Sequence, residues 1–272
     1  MSTIIGSQFD VLYCEGVQKF LNQNCQNLSK SLVIDGNLGP VSGAALSLYQ
    51  GQVGLPQSGI YDAATQALAE PTILSQYIQT VDIESAAQQL GVDVPAVMAV
   101  CMTETSGSGF FNNKTCAILF ERHIFYAQLQ QAGVSADQLA SYVSQFPNIV
   151  NPTPGGYTGG PGEWSRYNAA ALINVAAAQA AISMGLFQIM GENCAYCGYS
   201  SVGSYFLAME STEKAQLSAF INFVQKYMNG ALLRALQSHD WATFAKYYNG
   251  PAQVPTYSAK LSSNFALYAS MT

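Results

Sequence analysis

Apolar residues recur at the three-and-four spacing of helices over much of the chain, with turn residues dividing it into short units. From about Glu15 to Asn22, Val17, Phe20 and Leu21 share one helical face. Two later segments repeat each other loosely: Asp35-Gly36-Asn37-Leu38-Gly39-Pro40-Val41-Ser42 and Ser58-Gly59-Ile60-Tyr61-Asp62-Ala63-Ala64-Thr65. Each enters a helix. Ala45, Leu48 and Tyr49 follow the first at helical spacing, and Ala64, Ala67 and Leu68 follow the second, where Asp62 is placed to cap the start. Three such helices predict a small bundle. Pro71 should end its last unit, with residues 72–80 forming a short helical joint in place of a Gly/Ser tether.

Beyond that joint, Asp82 can cap a helix through Leu90 that Gly91 ends. Asp93 and Pro95 then open an almost wholly apolar helix that runs into one carboxylate, Glu104, and should stop near Gly107 and Gly109. Val97, Val100, Cys101 and Glu104 follow helical spacing, which sets Glu104 on the same stripe as the aliphatic residues. Desolvation and the negative end of the helix dipole both raise a carboxyl pKa there, leaving a group suited to general acid work. The local pattern equally allows a solvated residue at a helix C-terminus.

Further on, the run from His123 through Gln131 reads as helix, as does Ser135 to Gln145. Residues 147–162, PNIVNPTPGGYTGGPG, form a loop in which Tyr157 either stacks on a ligand or simply connects. The Ala-rich run from Trp164 to Ile182 predicts a helix through the centre of its domain. Gln188 sits within the apolar run Gly185-Leu186-Phe187-Gln188-Ile189, as a core glutamine or as a hydrogen-bonding group of a site. Ser211 can cap a helix carrying Leu217, Phe220, Ile221, Val224 and Tyr227, and Ala231 to Ser238 forms a shorter one. Asp240 caps a last predicted helix with Trp241, Phe244 and Tyr248 on one face, ending at Asn249-Gly250-Pro251.

Composition narrows the function. The chain has 272 residues, 49% of them apolar and 10% charged, which suits a folded, mainly α protein. A net charge of −6 argues against nucleic acid as a partner and against direct attack on anionic membranes. The N-terminal stretch MSTIIGSQFD shows no export signal, and the longest apolar run, near 169–182, is interrupted by Asn174 and Gln179 and too short for stable membrane insertion. Six cysteines leave their pairing open, with reduced thiols favoured. Cys194 and Cys197 have metal-like spacing, but with His123 and His239 as the only histidines a zinc site lacks ligands, so neither metal nor organic cofactor is predicted.

The segment Glu104-Thr105-Ser106-Gly107-Ser108-Gly109-Phe110, followed by Ile118-Leu119-Phe120-Glu121-Arg122-His123, resembles the N-acetylmuramidase domain of bacteriophage endolysins. Ser183-Met184-Gly185-Leu186-Phe187-Gln188-Ile189-Met190-Gly191 and Tyr247-Tyr248-Asn249-Gly250 resemble two further segments of that family, in the same order. The similarity spans roughly residues 80–270. It implies a lysozyme-like helical domain that hydrolyses the bond between N-acetylmuramic acid and N-acetylglucosamine, with Glu104 as the acid. Gln188, Tyr248, Asn249 and Tyr157 would then contact substrate. Glu121 is the leading second carboxylate, at about 6.5–9.5 Å if it activates water. Its other reading is a pairing with Arg122 or His123, and Glu163 and Glu192 are lesser candidates.

From about Val17 to Leu68 the repeat resembles the peptidoglycan-binding domain of wall hydrolases. That implies a wall-binding bundle over residues 1–75 and a catalytic domain over 76–272, with Asp35, Asn37, Tyr49 and Gln50 lining any groove. A monomer is expected, made in the host cytoplasm and reaching peptidoglycan in the periplasm after membrane permeabilisation. The competing readings are a lytic transglycosylase, a cysteine peptidase built on Cys101 and His123, a zinc amidase, and a non-catalytic wall-binding protein.

Overall fold

In the computed structural model, which describes residues 10–105 and 107–270, Asp10 opens α1 (Val11–Asn24) by accepting the Tyr13 N–H at 2.7 Å. Ser106 and most of the stretch read for an export signal lie outside the described residues. Two more helices, α2 (Pro40–Gln52) and α3 (Ala63–Gln76), complete the N-terminal bundle. Val17, Phe20, Leu21, Leu46, Tyr49 and Ile73 form its core, with the Phe20 and Tyr49 rings edge to face at 5.2 Å.

The inward face of α3 differs from expectation: Thr65, Ala69 and Ile73 are buried, while Ala64, Ala67 and Leu68 face solvent. Asp62 sets the phase. Its Oδ1 accepts both the Thr65 N–H and the Thr65 hydroxyl, so a polar residue enters the core fully bonded. Leu48 on α2 is exposed as well. Nor does Pro71 end the unit; α3 continues through it to Gln76. Pro71 and Ala67, whose carbonyl a proline four residues on leaves unpaired, both lie on the wet side, where water can serve that carbonyl. Burial of Ile73 and Tyr77 beyond the proline holds the helix together. Consequently residues 72–80 are not a separate element but the end of α3, a short extended link over 77–79 and the first residue of α4.

The larger C-terminal part begins with α4 (Thr80–Leu90), where Asp82 Oδ2 accepts the Gln79 N–H at 2.9 Å from one turn inside the helix, and Gly91 closes it at φ 63°. Next comes α5 (Val94–Thr105), buried continuously from Pro95 to Cys101, as a helix apolar all round must be. A three-stranded antiparallel sheet in the order β1 (Ile118–Phe120), β2 (Ile182–Met184), β3 (Ile189–Met190) was not expected. The pairs Leu119 with Ser183 and Met184 with Ile189 set its register.

Around this sheet lie α6 (Arg122–Gln131), α7 (Ala136–Gln145), α8 (Glu163–Ala171) and α9 (Val175–Ala180). The Ala-rich run is therefore two helices rather than one: Asn174 starts α9 by accepting the Ala177 N–H at 3.0 Å, and Ile182 belongs to β2. Then follow α10 (Val202–Met209), α11 (Glu213–Lys226), α12 (Ala231–Gln237), α13 (Trp241–Tyr248) and α14 (Val254–Ala269). Thr212, not Ser211, caps α11, and Asp240 caps α13 as expected. Helix α14, unforeseen, packs along α5, with Asn264 Nδ2 donating to Thr103 Oγ1 at 3.1 Å.

Among the described residues no helix is long and apolar enough to cross a membrane. All six cysteines are free, and no cluster of His, Cys, Asp and Glu is placed to hold a metal among the described residues.

Candidate active site

Helix α5 delivers Glu104 to the floor of a cleft of about 460 Å³, whose walls include Ser108, Phe111, Asn112, Leu119 and Gln188. Two residues of the long loop, Gly160 and Pro161, close another side. The helix stops because Gly107 turns the chain at φ 87°. Glu104 is half-buried, and its Oε1 accepts the Asn249 side-chain N–H at 3.0 Å. Burial pushes its carboxyl up to about 7; the Asn249 hydrogen bond and the Lys260 charge offset only part of the rise. A carboxylic acid that keeps its proton near neutral pH thus stands in an open cleft. Asn249 Oδ1 is buried beside it with no hydrogen-bond partner among the described residues.

The β2–β3 turn forms the opposite wall. Gln188 adopts φ 46°, in the region most side chains avoid, and its amide works within the turn: Nε2 donates to Ala117 O and Gly185 O, while Oε1 accepts from Ser183. It lines the cleft, yet its amide is engaged by the protein, the scaffold role in place of a free substrate contact. Tyr248 behaves alike. Its hydroxyl donates to Phe187 O at 2.6 Å, and its ring stacks on Phe244, so it props the turn from behind and is not among the residues that line the cleft. Thr105 completes the support by donating to Leu186 O at 3.2 Å.

Glu121 stands apart from the cleft lining. Its Oε2 accepts the Tyr157 hydroxyl at 2.9 Å and lies 3.2 Å from His123 Nδ1, which matches the pairing alternative. Tyr157 in turn points its hydroxyl at that carboxylate; burial, then Glu121, raise its pKa to about 12. The loop carrying Tyr157 is strongly built: Arg122 donates to the Pro147, Thr153 and Pro154 carbonyls. Arg166 donates to Asn148 O and Phe120 O, and pairs with Glu163 at 2.6 Å. For Glu163 burial acts upward, but N–H donors from Gly159, Phe120 and Thr158 together with Arg166 outweigh it and hold the carboxyl below its usual range. Such an ionised, saturated carboxylate anchors the loop. Glu192 is bonded to Gln128 at 3.1 Å, away from Glu104.

The cysteine-peptidase pair is not assembled. Cys101 is buried within α5, where burial raises its thiol, whereas His123 faces Glu121.

Three residues that the pattern of the chain did not reveal hold the cleft in place. Gln216 on α11 accepts the Leu186 N–H at 2.7 Å and donates to Met209 O at 2.8 Å; a side chain at either Gly109 or Gly185 would collide with it. Glu213, fully buried one turn earlier, accepts the Gly109 N–H at 2.9 Å, the Ile78 N–H at 3.3 Å and the Lys19 ammonium at 2.9 Å. Lys19 comes from the N-terminal bundle. A capping position preceding an amphipathic helix was the only local signal for Glu213, since its partners are distant in sequence.

In the bundle, Asp35 and Asn37 do line a groove of about 200 Å³, together with Gln18, Val33 and Val41. Tyr49 and Gln50 do not. Tyr49 packs in the core, and the fully buried Gln50 donates to Ser58 Oγ, Ile60 O and Thr65 Oγ1 and accepts the Gly59 N–H. Gln50 ties the two repeats together, which explains an amide at that position without a ligand.

No curated protein matches the chain. The crystal structure of the Burkholderia AP3 phage endolysin superposes with a TM-score of 0.63 at 34% sequence identity, covering 93% of this chain and 94% of that one. The peptidoglycan binding domain family matches residues 15–68, over the bundle and its groove. Residues 93–269, from the cap of α5 to the end of α14, match the model of the N-acetylmuramidase family. With an acid in a cleft behind a peptidoglycan-binding bundle, the chain belongs to the N-acetylmuramidase family, a glycoside hydrolase acting on peptidoglycan.

Proposed function

We propose that the chain is a phage endolysin that hydrolyses the β-1,4 bond between N-acetylmuramic acid and N-acetylglucosamine, with Glu104 as the general acid. The observation that carries this reading is a carboxyl held near 7 at the floor of an open cleft and bonded to Asn249. Leaving-group protonation needs a group of that kind at that depth. Asn249 orients the acid through its side-chain N–H. Gln188 and Tyr248 act through the turn they brace, and Glu121 acts through Tyr157 and the loop that supplies Gly160 and Pro161. The protein works as a monomer on the periplasmic wall after the membrane has been breached.

Mass spectrometry of fragments released from purified peptidoglycan tests the reading, with the wild type and Glu104→Gln compared before and after borohydride reduction. Reducible muramic acid ends are expected from the wild type, falling by about 100-fold or more in the variant. Anhydro ends would transfer the assignment to a lytic transglycosylase. Cleaved stem peptides, or full activity in Glu104→Gln, would sink the proposed mechanism.

A further inference from the structure

The catalytic cleft abuts the N-terminal bundle. Asn112, one of its wall residues, donates through Nδ2 to Ser31 Oγ at 2.7 Å, and a Cβ placed on Gly107 would sit 3.5 Å from Ile34 Cγ2. Between and beside those two contacts, Leu32, Val33 and Asp35 line the second groove. Residues 31–35 therefore border the cleft on one side and the bundle groove on the other. We propose that the two grooves form a single track for one glycan strand, so that the bundle supplies distal sugar subsites to the strand being cut. The inference rests on the muramidase reading above.

The chemistry of the bundle groove suits N-acetyl sugars. Val33 and Val41 stand on it 69% and 73% exposed, offering apolar surface to the flat faces of sugar rings. Asp35 Oδ2 and the Asn37 side-chain amide have no partner among the described residues, and both are free to meet hydroxyl and acetamido groups. Gln18 fixes the turn that presents them. Its Nε2 donates to Asp35 Oδ1 and Asn37 O, and its Oε1 accepts the Asp35 and Gly36 N–H groups. Because Lys19 and Glu213 lock the bundle onto the catalytic side, the two grooves hold a constant spacing, as a track requires and a loose tether would not provide.

Peptide-free glycan oligosaccharides of graded length test this, with kcat/KM measured for the wild type and for Val33→Asp/Val41→Asp. Wild-type kcat/KM should rise about tenfold or more once an oligosaccharide is long enough to pass Asn112 and reach Val33. In the double variant the ratio of long-chain to short-chain kcat/KM should fall toward one. A wild-type ratio that stays flat with length overturns the inference, and that series decides the matter even if the variant folds poorly. Loss of co-sedimentation with intact wall in the variant, alongside an unchanged length ratio, would overturn it in favour of a separate tethered strand. Absence of cleavage at every length would remove the muramidase reading and this inference with it, whereas the flat ratio removes the inference alone.

Discussion

At Glu104 the proton is a consequence of where α5 stops. The carboxyl rises from 4.5 to about 7 chiefly through burial, so kcat/KM should hold from acid to neutral pH and fall about tenfold per pH unit on the alkaline side. Lys260→Met removes a charge that lowers this pKa and should move the alkaline limb upward. Stability follows with a definite sign. A carboxyl whose folded pKa lies above its unfolded value adds stability that is complete below about 4.5 and is lost as pH rises through about 7. Glu104→Gln, neutral at every pH, should therefore melt higher than the wild type at pH 8, with the gap closing by pH 4; a gap independent of pH would contradict the raised pKa. The local pattern left Glu104 open between a buried acid and a solvated helix end, and the resemblance of its flanking motif to the N-acetylmuramidase family singled it out. Gln216 and Glu213 were not legible, because the amides they accept from belong to other elements, Leu186 being 30 residues from Gln216 and Gly109 being 104 from Glu213, and polar residues on an amphipathic helix look alike until the fold pairs them.

Among the elements, helices bounded by capping or turn residues were readable, and α5, α6, α7, α12 and α13 lie close to where the pattern placed them. The β2–β3 hairpin was not, since strands of three and two residues leave no measurable alternation. Its identity comes from bonds made across the fold. Gly185 shows this: at φ 72° it takes a conformation costly for other residues, and a Cβ there would meet the Gln216 side chain within 2.8 Å. Gly133 has a similar φ of 83° with open space where its Cβ would go. Gly133→Ala should cost about 1 kcal/mol from the backbone alone, and Gly185→Ala about 1–3 kcal/mol more through the collision. Urea midpoints compare the two, and kcat should fall only for Gly185→Ala, whose distortion moves the wall facing Glu104. Equal losses would show that Gln216 yields freely. Helix α14 escaped the sequence pattern for a different reason: its buried face is sparse, with Leu261 and Tyr268 alone fully inside.

For the whole molecule, the deciding feature is the ion pair between Lys19 and Glu213, 2% and 0% exposed, that joins the bundle to the catalytic side. Tyr268 on α14 reinforces the junction by donating to the buried Glu15 at 3.0 Å, and Lys114 donates to Asn24 at 2.8 Å. A duplicated helix unit in sequence suggests a detachable module, whereas these bonds make one body of both parts. Lys19→Met tests this most directly. Removing the ammonium leaves Glu213 buried beside Ile78 N and Gly109 N without its counter-charge, which typically costs about 3–5 kcal/mol. The loss should appear as a lower urea midpoint in a transition reported together by probes in both parts, because neither part keeps its partner when the junction opens. Hydrogen exchange at the Gly109 amide, which binds Glu213 directly, should quicken by a factor matching the global destabilisation. In Lys19→Met/Glu213→Gln the buried charge is gone, and the neutral amide can still accept the Gly109 N–H, so the double variant should be more stable than Lys19→Met alone. Two separate unfolding transitions in the wild type, or a Lys19→Met variant as stable as the wild type, would mean that the bundle and the catalytic side are joined by the chain alone.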